Sequence, residues 1–213
     1  MTVTGPQRHQ GAQVAAADVE PGDAQAYRIL RSRINLGHLP PLTRAVIERV
    51  IIATADFDYA ADLACDEQVL TAAVIALAAG APVVADVAMV AAGLTAAQPI
   101  CKDGDSLTAR LARVTGITPA AAAVRLAFSE TGPGAVWVIG DDPAAIDEII
   151  GRETEPALVV AMPAGLVAVA GAKQALRSSG LPALTNVSEK GGCAVAAAAA
   201  NALLDVAARQ AAR

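Results

Sequence analysis

Two groupings in this chain have the residue types for chemistry. The first is Asp86, which closes the apolar run Pro82-Val83-Val84-Ala85. In a parallel α/β sheet the carboxyl end of a strand faces an open crevice, so an acid there stands where ligands bind. The same residue can instead cap the helical turn that follows. The second grouping is Gly191-Gly192 at the head of an alanine-rich helical stretch, with Lys190 beside it and Lys173 also near a strand end. Free N–H groups at a helix start, together with ammonium groups, suit a carboxylate-bearing ligand. A tight turn flanked by solvated lysines is the alternative reading of the same residues. Cys65, Cys101 and Cys193 are odd in number and widely spaced, with no CxxC and no neighbouring histidine. They read as reduced core or near-core thiols, and neither a metal site nor a disulfide frame is expected.

The elements that must position these groups follow from apolar spacing. Continuous apolar runs at 135–140, 157–162 and 182–187 each lead into a helical pattern, over 143–150, up to about 177, and from about 192 to 212. Three such units without a two-residue hairpin signal predict a parallel sheet buried on both faces. Shorter runs at 82–85 and 99–102 bring the expected count to about five strands. The fold class is therefore α/β, a three-layer arrangement with a mostly parallel sheet and helices on both faces. Further helices are expected over 23–34 with Asp23 as cap, over 44–53 with Thr43 as cap, over 67–79 with Asp66 as cap, over 106–114, and over 119–130 with Pro119 in the first turn.

The chain has 213 residues, which suits one domain with a sizeable core, expected over 22–213. Residues 1–21 carry Gly, Gln, Ala and Thr without an apolar period and are expected to be disordered or loosely attached, His9 included. Apolar residues reach 54% but aromatics only 2%, so the core must rely on small side chains that let elements approach closely. A net charge of −5 gives no field that would draw in nucleic acid. With no basic-then-apolar leader and no unbroken membrane-length run, a cytoplasmic protein without a membrane partner is expected.

The segment APVVADVAMVAAGLT at 81–95 resembles the corresponding stretch of the precorrin-8X methylmutases, through Gly80, Ala81, Pro82, Asp86, Met89, Val90, Gly93 and Thr95. Further segments fall into line at nearly ungapped spacing. They run through Val136 to Ala145, through Met162, Pro163, Gly165, Val167, Lys173 and Leu176, and through Gly191, Gly192, Ala199 and Asn201. The resemblance covers the chain from about Ala26 to its end. It implies an α/β fold, a homodimer, and a corrinoid site shared between the carboxyl ends of the strands and the dimer interface. It also implies migration of a methyl group on ring C, converting precorrin-8X to hydrogenobyrinate in cobalamin synthesis, without a metal or nucleotide cofactor. The residues it assigns to substrate binding are Arg49, Thr54, Asp86, Met89, Thr95, Met162, Gly165, Lys173, Lys190, Gly191 and Gly192.

The polar groups depart from that pattern. The family's segment R-[MLV]-[VI]-H-[AT] reads Arg49-Val50-Ile51-Ile52-Ala53, which puts Ile52 where the resemblance implies the proton-donating histidine. A frequent serine is Ala26, an arginine after a threonine is Pro119, and the basic run before the two glycines is Val187-Ser188-Glu189-Lys190. Isoleucine cannot protonate a macrocycle, and Glu189 would repel substrate carboxylates. Candidate substitutes for the acid are His38, in the loop before the second helix, and Asp56 or Asp58 if burial raises their pKa. Three functions follow: a methylmutase with a displaced acid, a catalytically inactive corrinoid-binding or regulatory relative, or a related fold retuned to another small molecule.

Overall fold

The computed structural model describes residues 21–152 and 154–212. Residues 1–20, which hold His9 and nearly all of the segment expected to be loosely attached, lie outside the described residues. Two helices come first, α1 (Pro21–Arg33) and α2 (Pro41–Thr54), then the single turn α3 (Tyr59–Asp62) and strand β1 (Leu63–Ala64). Next come α4 (Glu67–Ala78), β2 (Val83–Ala85), α5 (Ala88–Gly93), β3 (Ile100–Cys101), α6 (Ser106–Thr115) and α7 (Pro119–Thr131). Three βα units complete the chain: β4 (Val136–Ile139) with α8 (Pro143–Gly151), β5 (Leu158–Ala161) with α9 (Val169–Ser178), and β6 (Ala183–Asn186) with α10 (Cys193–Ala211).

The strands form one sheet in the order β1-β6-β5-β4-β2-β3. It is α/β as expected, but six-stranded among the described residues, the addition being β1, which pairs antiparallel with β6 while the other pairings are parallel. Alternation along the strands builds two cores. Val136, Val138, Leu158, Val160, Met162 and Leu184 face α2, α4 and α10, whereas Trp137, Ile139, Val159 and Ala161 face α7, α8 and α9. A fully buried aliphatic side chain contributes about 1.5–3 kcal/mol, so these strand residues and the helix residues packed on them carry much of the stability. The alanines of α10 let it lie close against α2, α4 and α5. A Cβ on Gly93 would stand 2.8 Å from that of Ala197.

Several helix starts follow from local caps. The side chain of Asp66 accepts from Gln68 N and Val69 N at α4, and Asp105, Thr118 and Asp142 do likewise at α6, α7 and α8. Two expected caps are corrected. Asp23 lies inside α1. Thr43 lies inside the first turn of α2, whose free N–H groups at Leu42 and Thr43 donate instead to the carboxylate of Glu67, at 2.8 and 2.9 Å. Among the described residues no single helix is long and apolar enough to cross a membrane.

Candidate functional site

Parallel pairing brings the exits of β2, β4, β5 and β6 to one edge of the sheet. Because β1 is antiparallel and begins opposite Asn186, the carboxyl end of α2 and the loop after it reach the same edge. Asp86 sits at the centre, buried, with its carboxylate accepting from Val87 N at 2.9 Å, Gly140 N at 3.0 Å and Asp141 N at 2.8 Å. Burial pushes its carboxyl up to about 6 against the pull of those three donors. Its oxygens are therefore occupied in holding the β2 and β4 exits together. Gly140 permits that junction, since a Cβ there would lie 2.7 Å from both the Cα of Cys193 and a methyl of Val90.

The exits of β5 and β6 are locked to each other. Gly192 N donates to Met162 O at 2.7 Å and Gly165 N to Glu189 O at 3.0 Å. Gly191 has φ 146°, and a Cβ on it would come within 2.2 Å of Met162 O, so only glycine fits. Lys173 is 0% exposed. Its Nζ donates to Pro163 O at 3.3 Å, Asn186 Oδ1 at 2.9 Å, Ser188 O at 2.5 Å and Lys190 O at 3.0 Å. Burial draws this ammonium down to about 8. Asp62 continues the network by accepting from Val187 N, Ser188 N, the Ser188 hydroxyl and Asn186 Nδ2. Burial pushes Asp62 up, but these donors outweigh it and leave it below the usual carboxylate range.

Lys190 closes the edge from the other side. Its Nζ lies 2.8 Å from both Asp56 and Asp58 and 6.0 Å from the Tyr59 ring centroid. The hydrogen bond from Lys190 holds Asp56 below its ordinary value, the opposite of what a proton donor at neutral pH needs. Ile52 is half-buried in the last turn of α2, packed against the main core. Two residues on, the Thr54 hydroxyl donates to Val50 O and accepts from Asp56 N.

Several expected site residues stand elsewhere or face inward. His38 is exposed in the turn entering α2, and at 1.5 Å per residue that helix puts Ile52 roughly 16 Å beyond Pro41. The imidazole thus stands at the opposite end of α2 from Ile52. Arg49 pairs with Asp205 of α10 at 3.5 Å. Thr95 donates its N–H to Asn201 Oδ1 at 3.1 Å on the flank of α10. Met162 is fully buried in the core, and Lys173 turns its ammonium onto protein oxygens, so both support the edge from inside. Facing outward there are the apolar side chains Leu166 (93% exposed), Val167 (83%), Met89 (72%) and Val187 (52%), beside the exposed charges of Asp58, Asp141, Glu189 and Lys190. Leu166 and the Asp62–Asn186–Ser188 network escaped sequence reasoning. A branched apolar pair in a loop directly after Gly165 was the available signal for Leu166.

The edge thus offers an apolar patch rimmed by charged side chains on a hydrogen-bonded backbone frame. A cavity of about 10 Å³ beneath Asp86, lined by Val84, Ala123, Val124 and Trp137 among others, is far too small for a large ligand.

Comparison with known proteins gives a consistent picture. The sequence model of the family described as precorrin-8X methylmutase matches residues 23–206. The chain is 34% identical over 163 residues to the cobalt-precorrin-8 methylmutase of Methanocaldococcus jannaschii, covering 75% of this chain and 77% of that protein. It is 34% identical over 191 residues to the precorrin-8X methylmutase of Pseudomonas aeruginosa, covering 84% and 91%. Among solved structures, the precorrin-8X methylmutase from Thermus thermophilus superposes with a TM-score of 0.78 at 29% identity, over 90% of this chain and 99% of that one.

Proposed function

Because the chain belongs to the precorrin-8X methylmutase family, we propose that it acts in cobalamin biosynthesis by binding a corrinoid of the precorrin-8X or hydrogenobyrinate type, with little or no methyl transfer of its own. One observation carries the second half of this reading. At the end of α2, where the family pattern has a histidine, Ile52 presents a half-buried alkyl side chain. The neighbouring acids Asp56 and Asp58 are engaged by Lys190. A positioned general acid is typically worth about 10²–10⁴-fold, and protonation of the macrocycle has no donor there. Binding is supported by the apolar edge of Met89, Leu166, Val167 and Val187, which matches the face of a large apolar ring. These residues also leave an apolar surface that a second copy would cover, and the proposed assembly is a cytoplasmic homodimer with the corrinoid near its interface.

The test is uptake and turnover by the same preparation. Purified protein mixed with hydrogenobyrinate should give a coloured complex that survives gel filtration. Precorrin-8X should be converted far more slowly than by an active relative, as followed by absorbance. Rapid conversion by the unmodified chain would select a working methylmutase with another donor, and absence of any coloured complex would point to an unrelated ligand.

A further inference from the structure

Lys173 is a fully buried cation whose partners are all neutral. An ammonium has three protons, yet four oxygens stand within 3.3 Å of this one. Three of them are backbone carbonyls, of Pro163, Ser188 and Lys190, and the fourth is the side-chain carbonyl of Asn186. Such a set of converging carbonyl dipoles is what proteins assemble around a small monovalent cation. The four oxygens come from different places: Pro163 from the exit of β5, and Asn186, Ser188 and Lys190 from the exit of β6. The side chain itself rises from α9.

We propose that Lys173 is a positioning residue for the corrinoid edge, its ammonium serving as the built-in cation of this cage and thereby fixing the loops 163–168 and 187–192 against each other. This rests on the functional reading above. Both loops carry edge groups, since Leu166 and Val167 stand on the first and Val187, Gly191 and Gly192 on the second. The clamp also reaches the far wall. Lys190 O is held by Lys173, while Lys190 Nζ holds Asp56 and Asp58 in the loop that follows Ile52. Without the positive charge Pro163 O and Asn186 Oδ1 lose their donor, while Ser188 O and Lys190 O keep only Asn186 Nδ2, at 3.3 and 2.9 Å, so the loops must part to hydrate the rest. An apolar side chain of equal length would fill the space and leave Pro163 O and Asn186 Oδ1 without a donor, so charge and packing are separable by substitution.

The experiment uses Lys173→Met, which keeps the length, and Lys173→Ala, which empties the cage. Amide hydrogen exchange is read at Gly165 and Gly192, whose N–H groups bridge the two loops, with Val138 and Val160 in the sheet as internal references. Hydrogenobyrinate uptake is measured alongside. Both variants should keep wild-type circular dichroism and sheet protection, exchange at Gly165 and Gly192 at least tenfold faster, and bind the corrinoid at least tenfold more weakly. Tens of millimolar ammonium chloride should restore part of both properties in Lys173→Ala and none in Lys173→Met, where the methionine blocks the cage. Unchanged exchange at the two glycines, or indifference of Lys173→Ala to ammonium, overturns the clamp. Unfolding of both variants with and without ammonium overturns it too, because the side chain would then support the whole fold and not the loops. If the wild-type chain takes up no hydrogenobyrinate, the functional reading falls while the exchange result still decides the clamp.

Discussion

Replacing Asp86 by asparagine should remove a specific pH dependence of folding. In the native state burial raises the Asp86 carboxyl from 3.8 to about 6. A carboxyl whose native pKa lies above its unfolded value keeps its proton longer in the folded protein. Between about pH 4 and pH 6 the native state therefore binds more protons than the unfolded state, and stability falls as pH rises through that window. A shift of about two units corresponds to about 3 kcal/mol, fully present below the window and lost above it. Asparagine carries no titrating group, but its single carbonyl oxygen cannot serve all three N–H groups of Val87, Gly140 and Asp141. That loss costs about 1–3 kcal/mol at every pH. The assay is urea unfolding at pH 4 and pH 7, followed by the emission of Trp137, the single tryptophan. The wild-type advantage over Asp86→Asn should shrink by about 2 kcal/mol between those two pH values at constant m, because at pH 4 the unfolded carboxyl is already partly ionised. Other acids such as Asp56 and Asp62 cancel in the difference. An advantage that stays level, or grows with pH, would refute the assignment of the raised carboxyl to Asp86.

Three further outcomes are expected. Ile52→His should raise methylmutase turnover by about 10–10²-fold, less than a fully positioned acid gives, because Ala26, Pro119 and Glu189 still differ from the family pattern; a turnover assay on precorrin-8X that shows no gain would place the missing step elsewhere. His38→Ala should leave corrinoid uptake and turnover within twofold of wild type, and a tenfold loss would show that the imidazole reaches the reacting ring. Gly191→Ala should abolish the native edge, since its Cβ would meet Met162 O at 2.2 Å with φ at 146°, whereas Ala→Gly at the exposed Ala164 should be nearly silent in thermal melting.

The parts of the fold that were legible in the sequence are those set by near neighbours. Asp66 two and three residues before the N–H groups it accepts from, Pro143 after Asp142, and the apolar runs of β4, β5 and β6 each carry their instruction within a few positions. The parts that were not legible depend on groups far apart in the chain. Glu67 caps α2 across 24 and 25 residues, which makes Thr43 a plausible but mistaken cap from local pattern alone. Strand β1 has two residues and exists because Leu63 and Ala64 find a partner in β6, not because they have a period. At the site, the position of Asp86 followed from strand and turn, but Lys173 and Lys190 looked alike. Each is a lysine near a strand end, and only the folded chain sends one into a cage of oxygens and the other onto two aspartates.

Several residues that carry the family resemblance hold the carboxyl edge or the flank of α10 together. Asp86 ties two strand exits, Gly140 and Gly93 let backbones approach α10, Gly191 fits against Met162 O, Asn201 bonds Gly93 O and Thr95 N, and Lys173 joins two loops. Each acts on backbone geometry, so together they fix the shape of this part of the molecule. Both ionisable members are turned to protein groups: Asp86 to three N–H groups and Lys173 to four oxygens. The proposed function treats binding surface and acid chemistry as separable, the first assigned to the shared segments and the second to one position at the end of α2. With Ile52 at that position, the physical expectation is a frame that still holds the ring, joined to a wall that can touch it and cannot protonate it.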